Sequence, residues 1–258
     1  MRGNAADPAL QGRAAIPGDR VEDRPQREAA LARKVKGWLT NRDLPAFDGA
    51  DLEGFSRPGR KGGGDFFDVM AVDQNRWGIL LGQASGNGYQ AALSASVALS
   101  YFRSAAPGTL SPAELLSSVN NLLFAYRTAT SASITAAYAI YDVRDRTLLL
   151  ANAGQCHPLL NARPTEVAGL PLGLGRVARF PQLALTLKPG ESVVWYTSGI
   201  VSVHRTAGEP LGNEGWIALV REQTAGSEHP STLRDRLEQA VGDGLSNEDV
   251  SFVSMVTK

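Results

Sequence analysis

The sequence predicts a layered α+β domain, with sheets covered by helices, and three observations carry that prediction. Two consecutive helical segments, "GYQAALSASVALSYFRSA" and "SPAELLSSVNNLLFAYRT", sit in the middle of the chain. Runs of β-branched and apolar residues broken by glycine- and proline-bearing turns lie on both sides of them. The C-terminus then passes from a helix, "STLRDRLEQAV", to a half-buried strand, "EDVSFVSMVTK". Strands, a helix pair, strands, a helix and a last strand suggest sheets covered by helices.

The elements follow in order. Residues 1–24 are rich in Gly, Ala, Pro, Arg and Asp without a period of 3.6 or 2, and are expected to be a disordered tail. Over 25–40, Ala30, Leu31, Val35, Trp38 and Leu39 share one helical face, which either packs on the domain or pairs with a second copy. The folded domain is expected to occupy 41–258, with "NRDLPAFDGADLEG" as a turn-rich lead into its first strand. "RWGILLGQ" is a short apolar strand ending at glycine. The small residues of the helix after it allow close packing on a sheet. Ser111, Pro112 and Glu114 form a capping box with proline at the first helical position. Leu115, Val119, Leu122, Leu123 and Tyr126 make that helix's buried stripe. "SITAAYAIYDV" and "TLLLANAG" read as a hairpin turning at Asp145–Arg146. "LALTLKPGESVVWYTSGIV" reads as a second one turning at Pro189–Gly190.

Composition narrows the function. The 26 lysines and arginines balance 26 aspartates and glutamates, so no net field draws the 258-residue chain to nucleic acid or an anionic membrane. No apolar run approaches the ~20 residues a membrane span needs. The single cysteine, Cys156, excludes an internal disulfide and suits a reducing compartment. A cytoplasmic protein with no nucleic-acid or membrane partner is expected. His157, His204 and His229 are scattered without metal-ligand spacing, and Cys156 has no identifiable base beside it. "PLGLG" lacks the strand–helix context of a dinucleotide fingerprint.

Six loops remain: "GGGDFFDV" (62–69), "GQASGNG" (82–88), "NAG" (152–154), "PLGLG" (171–175), "YTSGI" (196–200) and "EDVS" (248–251). In this order they resemble the PPM-type metal-dependent serine/threonine phosphatases, specifically the bacterial SpoIIE-like branch tied to sporulation and sigma-factor control. The resemblance covers the chain from about Gln26 onward. It implies a four-layer αββα sandwich of two mainly antiparallel sheets flanked by helix pairs. It also implies a cleft in which Mn²⁺ or Mg²⁺ ions, held by carboxylates, activate water for phosphoester hydrolysis.

The residues at those positions depart from the implied chemistry. Asp65 stands where the family carries an acidic metal-site residue, although a loop aspartate capping backbone N–H groups reads the same. Asp68 matches the second acid of that motif. Gln83 replaces the bridging aspartate of "GDxSGxG", and a neutral amide with one carbonyl oxygen cannot bridge two cations. Ser198 stands where "YTDG" has a ligand aspartate. Glu248 replaces the coordinating aspartate of "DDxT" with a longer acid, and Asp249 keeps the second position. Asp65, Asp68, Glu248 and Asp249 are thus the residual metal candidates. Gly64, Gly82, Ser85, Gly86, Gly88 and Gly199 are expected to shape the site loops, with Arg57, Arg60 and Lys61 as a basic approach to it. Hard divalent ions require oxygen ligands, preferably anionic, so losing two carboxylates should cost orders of magnitude in affinity.

The sequence therefore predicts a phosphatase fold with impaired catalysis and no tightly bound cofactor, a pseudophosphatase holding a phosphorylatable partner. By resemblance the partner is a phosphorylated STAS-type anti-sigma antagonist, a response regulator or a kinase component. Two alternatives stay open: an active Mn²⁺- or Mg²⁺-dependent phosphatase, and a homodimeric interaction module assembled through 26–39.

Overall fold

The computed structural model describes residues 34, 37, 44–59, 63–86, 88–130, 133–206, 208–225, 231–242 and 247–258. The expected tail, nearly all of the 25–40 helix, and Arg60 and Lys61 lie outside these residues.

Strand β1 is Ala50–Arg57, β2 Asp65–Ala71 and β3 Arg76–Ala84. The helices Gly88–Ala105 (α1) and Pro112–Thr130 (α2) follow. Strands β4 (Ile134–Asp142), β5 (Thr147–Ala153), β6 (Leu159–Leu160), β7 (Arg163–Pro164), β8 (Gln182–Thr186) and β9 (Ser192–Tyr196) come next. Helices α3 (Ser198–Ser202), α4 (Gly212–Ala225) and α5 (Ser231–Val241) precede β10 (Val250–Thr257). The first sheet has the order β1-β10-β9-β6-β7 and the second β2-β3-β4-β5-β8, with every pairing antiparallel.

The layering follows from side-chain alternation. Successive strand residues face opposite sides, so Ile79 and Leu81 enter the core between the sheets with Phe67, Trp195 and Val253. Leu80, between them, faces α1 and α2 with Phe66, Tyr138, Phe102 and Leu115. On the far side Phe55, Tyr196 and Phe252 pack under Trp216, Leu233 and Leu237 of α4 and α5. Four layers, αββα, result. At the start of α2, Ser111 accepts the Glu114 N–H at 3.3 Å, the cap its sequence announces.

Two readings are corrected. Pro189–Gly190 does not turn a hairpin, because β8 pairs with β5 in the second sheet whereas β9 lies between β10 and β6 in the first. All five residues of β9 are buried, so it takes a central position with both faces covered. β8 alternates exposed and half-buried residues and suits an edge. The turn therefore crosses between sheets. The "ADLEG" placed in the lead-in belongs to β1 itself, paired with β10 over its whole length.

Glu53 on β1 faces α5, and burial raises its carboxyl to about 8, with Asp235 and Glu238 adding to the shift and Arg234 opposing it. An acid whose folded pKa lies above its unfolded value of 4.5 weakens the fold progressively as pH rises from that value, and the loss is complete above about 8. Glu53→Gln is thus expected to raise Tm by about 2–4 °C at pH 8 and by nothing measurable at pH 4. Melts of both proteins at the two pH values check this; an equal shift at both would remove ionisation as the cause.

Candidate functional site

Antiparallel pairing of β2 with β3 sets Asp65 directly opposite Gln83, at the ends of both strands. From the first sheet, the β9–α3 junction brings Thr197 and Ser198, and the segment before β10 brings Glu248 and Asp249. Asp65, Gln83, Ser198, Glu248 and Asp249 line a cleft of about 430 Å³, and Thr197 is buried next to Asp65.

A hydrogen-bonded chain crosses this cleft. The Gln83 amide Nε2 donates to Asp65 Oδ1 at 2.9 Å, and the Thr197 hydroxyl donates to Asp65 Oδ2 at 2.8 Å. Ser198 Oγ donates to Gln83 Oε1 at 3.1 Å. A carboxylate accepts and never donates, so an ionised Asp65 orients the amide with its NH₂ towards it and leaves the amide oxygen for Ser198. Thr197 also accepts the Ser251 N–H at 3.1 Å, which ties the chain to β10.

Asp249 has a different employment. Its Oδ1 accepts the Gly59 N–H at 2.9 Å, and its Oδ2 accepts those of Gly63 and Asp65 at 2.7 and 3.1 Å. It holds both ends of the connection from β1 to β2 and is only 2 % exposed. Glu248 sits beside it on the exposed rim of the cleft.

Other predicted site residues part company with the cleft. Asp68 lies three residues beyond Asp65, an odd offset that turns it to the opposite face of β2, where it pairs with Arg103 of α1. Arg57 points to the outer helices and donates to the Gly242 carbonyl at 3.2 Å. Gly64, Gly82 and Gly199 are packing glycines: an added Cβ would stand 2.2 Å from the Ala84 carbonyl oxygen, 2.4 Å from the Phe66 ring and 1.8 Å from the Asp249 carbonyl oxygen, respectively. Gly86 and Gly88 have open space but φ values of +107° and +56°, which shape the turn into α1. Ser85 is on the cleft edge, its Oγ accepting the Ser133 N–H at 2.9 Å.

Burial pushes the Cys156 thiol up to about 11, and the negative charge of Asp65 adds to the shift. A thiol so far from ionisation is inert at neutral pH. Thr197 is the member of the hydrogen-bonded chain that the sequence motifs do not single out. It stands inside the quoted "YTSG", but its significance depends on Asp65, 132 positions away in the chain.

A pair of hard divalent ions does not suit these donors. Within the chain Thr197–Asp65–Gln83–Ser198 the one anion is Asp65, and both its oxygens accept hydrogen bonds from neutral groups. The amide turns N–H groups towards the carboxylate, where an ion would need anionic oxygen. Among the described residues no group of three or more His, Cys, Asp or Glu is placed to hold a metal ion.

Residues 73–258 match the family described as Stage II sporulation protein E (SpoIIE). The chain belongs to that family. Solved structures agree with this placement. The RsbU and RsbW domains of Rv1364c from Mycobacterium tuberculosis superpose with a TM-score of 0.73 at 26 % identity, covering 84 % of this chain and 64 % of that one. The SiaA-PP2C domain of Pseudomonas aeruginosa gives 0.70 at 17 %, covering 92 % and 97 %. The PP2C phosphatase domain, with a fragment of the regulatory domain, of SpoIIE from Bacillus subtilis gives 0.64 at 16 %, covering 82 % and 65 %. RsbX, solved in complex with magnesium, gives 0.64 at 12 %. No curated protein matches the chain. The SpoIIE-family domain thus has the PP2C-type phosphatase fold, and spans about two thirds of the mycobacterial and Bacillus chains it resembles. No helix among its described residues is long and apolar enough to cross a membrane.

Proposed function

We propose that this SpoIIE-family domain is a catalytically impaired phosphatase that holds a phosphorylatable protein partner in a bacterial signalling pathway of the partner-switching type. The observation that carries the reading is the Gln83 amide, hydrogen-bonded to Asp65 on one side and Ser198 on the other. Metal-assisted phosphoester hydrolysis rests on paired cations that generate hydroxide and neutralise the phosphoryl oxygens. Where an amide and a hydroxyl stand in for two carboxylates, that chemistry has no foundation, and positioning by the remaining groups does not replace it. Membership of a family whose solved relatives include an RsbU domain joined to an RsbW domain supports a protein partner. The partner expected is an anti-sigma antagonist, a response regulator or a kinase component, met in the cytoplasm. The cleft and its glycine-shaped rim serve as the recognition surface.

Hydrolysis of an aryl phosphate in millimolar Mn²⁺ or Mg²⁺ tests this. The expected rate equals the buffer blank. Turnover abolished by Asp65→Ala would establish an active enzyme that depends on Asp65. The combined substitution Gln83→Asp, Ser198→Asp and Glu248→Asp is expected to gain Mn²⁺ binding by calorimetry, because it returns two anionic ligands and one original side-chain length. An unchanged titration would mean that the cleft differs by more than its ligands.

A further inference from the structure

We infer that the chain Thr197–Asp65–Gln83–Ser198 is a built-in structural substitute for metal ions, latching the two sheets together at the cleft floor. This rests on the metal-free reading of the cleft given above. Asp65 and Gln83 belong to the second sheet, at the ends of β2 and β3. Thr197 and Ser198 follow β9 of the first sheet. Two of the three hydrogen bonds, Thr197 to Asp65 and Ser198 to Gln83, therefore run between sheets.

The chain is chemically complete. Asp65 is 1 % exposed, and a carboxylate that deep needs donors. Here a hydroxyl from one sheet and an amide from the other supply them. The amide's own oxygen is satisfied in turn by Ser198. Metal ions between sheets achieve the same end by neutralising clustered carboxylates, and in this domain neutral donors do so permanently. A divalent ion gains nothing here without first displacing the amide. Glutamine is also the residue that fits: its carboxylate analogue, glutamate, would set two negative groups where the Nε2···Oδ1 bond of 2.9 Å now runs.

The prediction is a fold whose stability ignores divalent metal, in contrast with a variant that depends on it. Wild-type Tm is expected to agree within about 1 °C between chelator and millimolar Mn²⁺, since a ligand stabilises only in proportion to its binding. Gln83→Glu is expected to lose roughly 5–10 °C in chelator and to recover at least half of that loss in Mn²⁺. Should that variant fail to fold, Ser198→Ala, which removes one cross-sheet bond and adds no charge, is expected to lose about 2–4 °C equally with and without Mn²⁺. A wild-type Tm raised several degrees by Mn²⁺, a Gln83→Glu protein as stable as wild type in chelator, or an unshifted Ser198→Ala protein would each overturn the latch. Wild-type stabilisation by Mn²⁺ without aryl phosphate turnover would remove the latch alone and leave the non-enzymatic reading standing. Turnover would remove both.

Discussion

Gly199→Ala is expected to destabilise the fold severely. An alanine Cβ at this position would stand 1.8 Å from the carbonyl oxygen of Asp249 and 2.9 Å from its carbonyl carbon. Both are backbone atoms, so no side-chain rotation relieves the overlap, and the β9–α3 junction must separate from the segment that enters β10. That separation breaks the Thr197–Ser251 backbone bond of 3.0 Å, pulls Thr197 away from Asp65, and opens the core around Ile200. Ordinary overpacking costs about 1–3 kcal/mol. A backbone-against-backbone overlap this deep belongs with the exceptional class above about 4–5 kcal/mol. The measurement is a thermal melt followed by circular dichroism, with either insoluble protein or a Tm lowered by at least about 10 °C as the expected outcome. Gly175→Ala is the control, since an added Cβ there meets nothing within 4 Å. Its effect is expected to stay within about 0.5 kcal/mol. A Gly199→Ala protein melting with the control would show that the junction has slack.

The same junction shows how far the sequence could be read. Apolar patterning and alternation are local properties, so the strands and helices around "RWGILLGQ" and "SPAELLSS" are visible as patterns, and the amide at Gln83, where the resembled motif has an acid, is visible as a letter. Asp68 was assigned to the cleft by its place in a motif. Its odd offset from Asp65 on a strand already put it on the other face, so the period of two held the correction. The path of Pro189–Gly190 was not legible. A tight turn between two β segments has the same local signature whether it joins neighbours in one sheet or crosses to the next, and the outcome depends on β10, some sixty residues later. Thr197 and Asp249 were hidden for the same reason. Their partners are remote in sequence, and nothing in "YTSG" or "EDVS" states that a threonine will meet Asp65 or that a carboxylate will gather three backbone N–H groups.

That last arrangement sets the second large expectation, for Asp249. Read as a metal ligand, its loss should matter only when metal is present. Its geometry assigns it a structural task, so Asp249→Ala is expected to destabilise the protein in chelator by about 3–5 kcal/mol, lowering Tm by about 10 °C. Alanine leaves the N–H groups of Gly59, Gly63 and Asp65 without their acceptor in a buried setting. Each orphaned group costs about 1–3 kcal/mol, and the sum is reduced as the β1–β2 connection loosens and admits water. Asp249→Asn separates charge from shape. One amide oxygen can serve Gly63 and Asp65, but the NH₂ then meets the Gly59 N–H donor to donor, so a loss of about half the alanine value is expected. The order alanine, asparagine, wild type in chelator is the signature of a carboxylate that folds the cleft. Equal stability of all three without metal, and divergence only when Mn²⁺ is added, would return Asp249 to the ligands. The three backbone N–H groups that Asp249 gathers join the last strand of the first sheet to the connection leading into β2 of the second, which is why its loss should register without any ion.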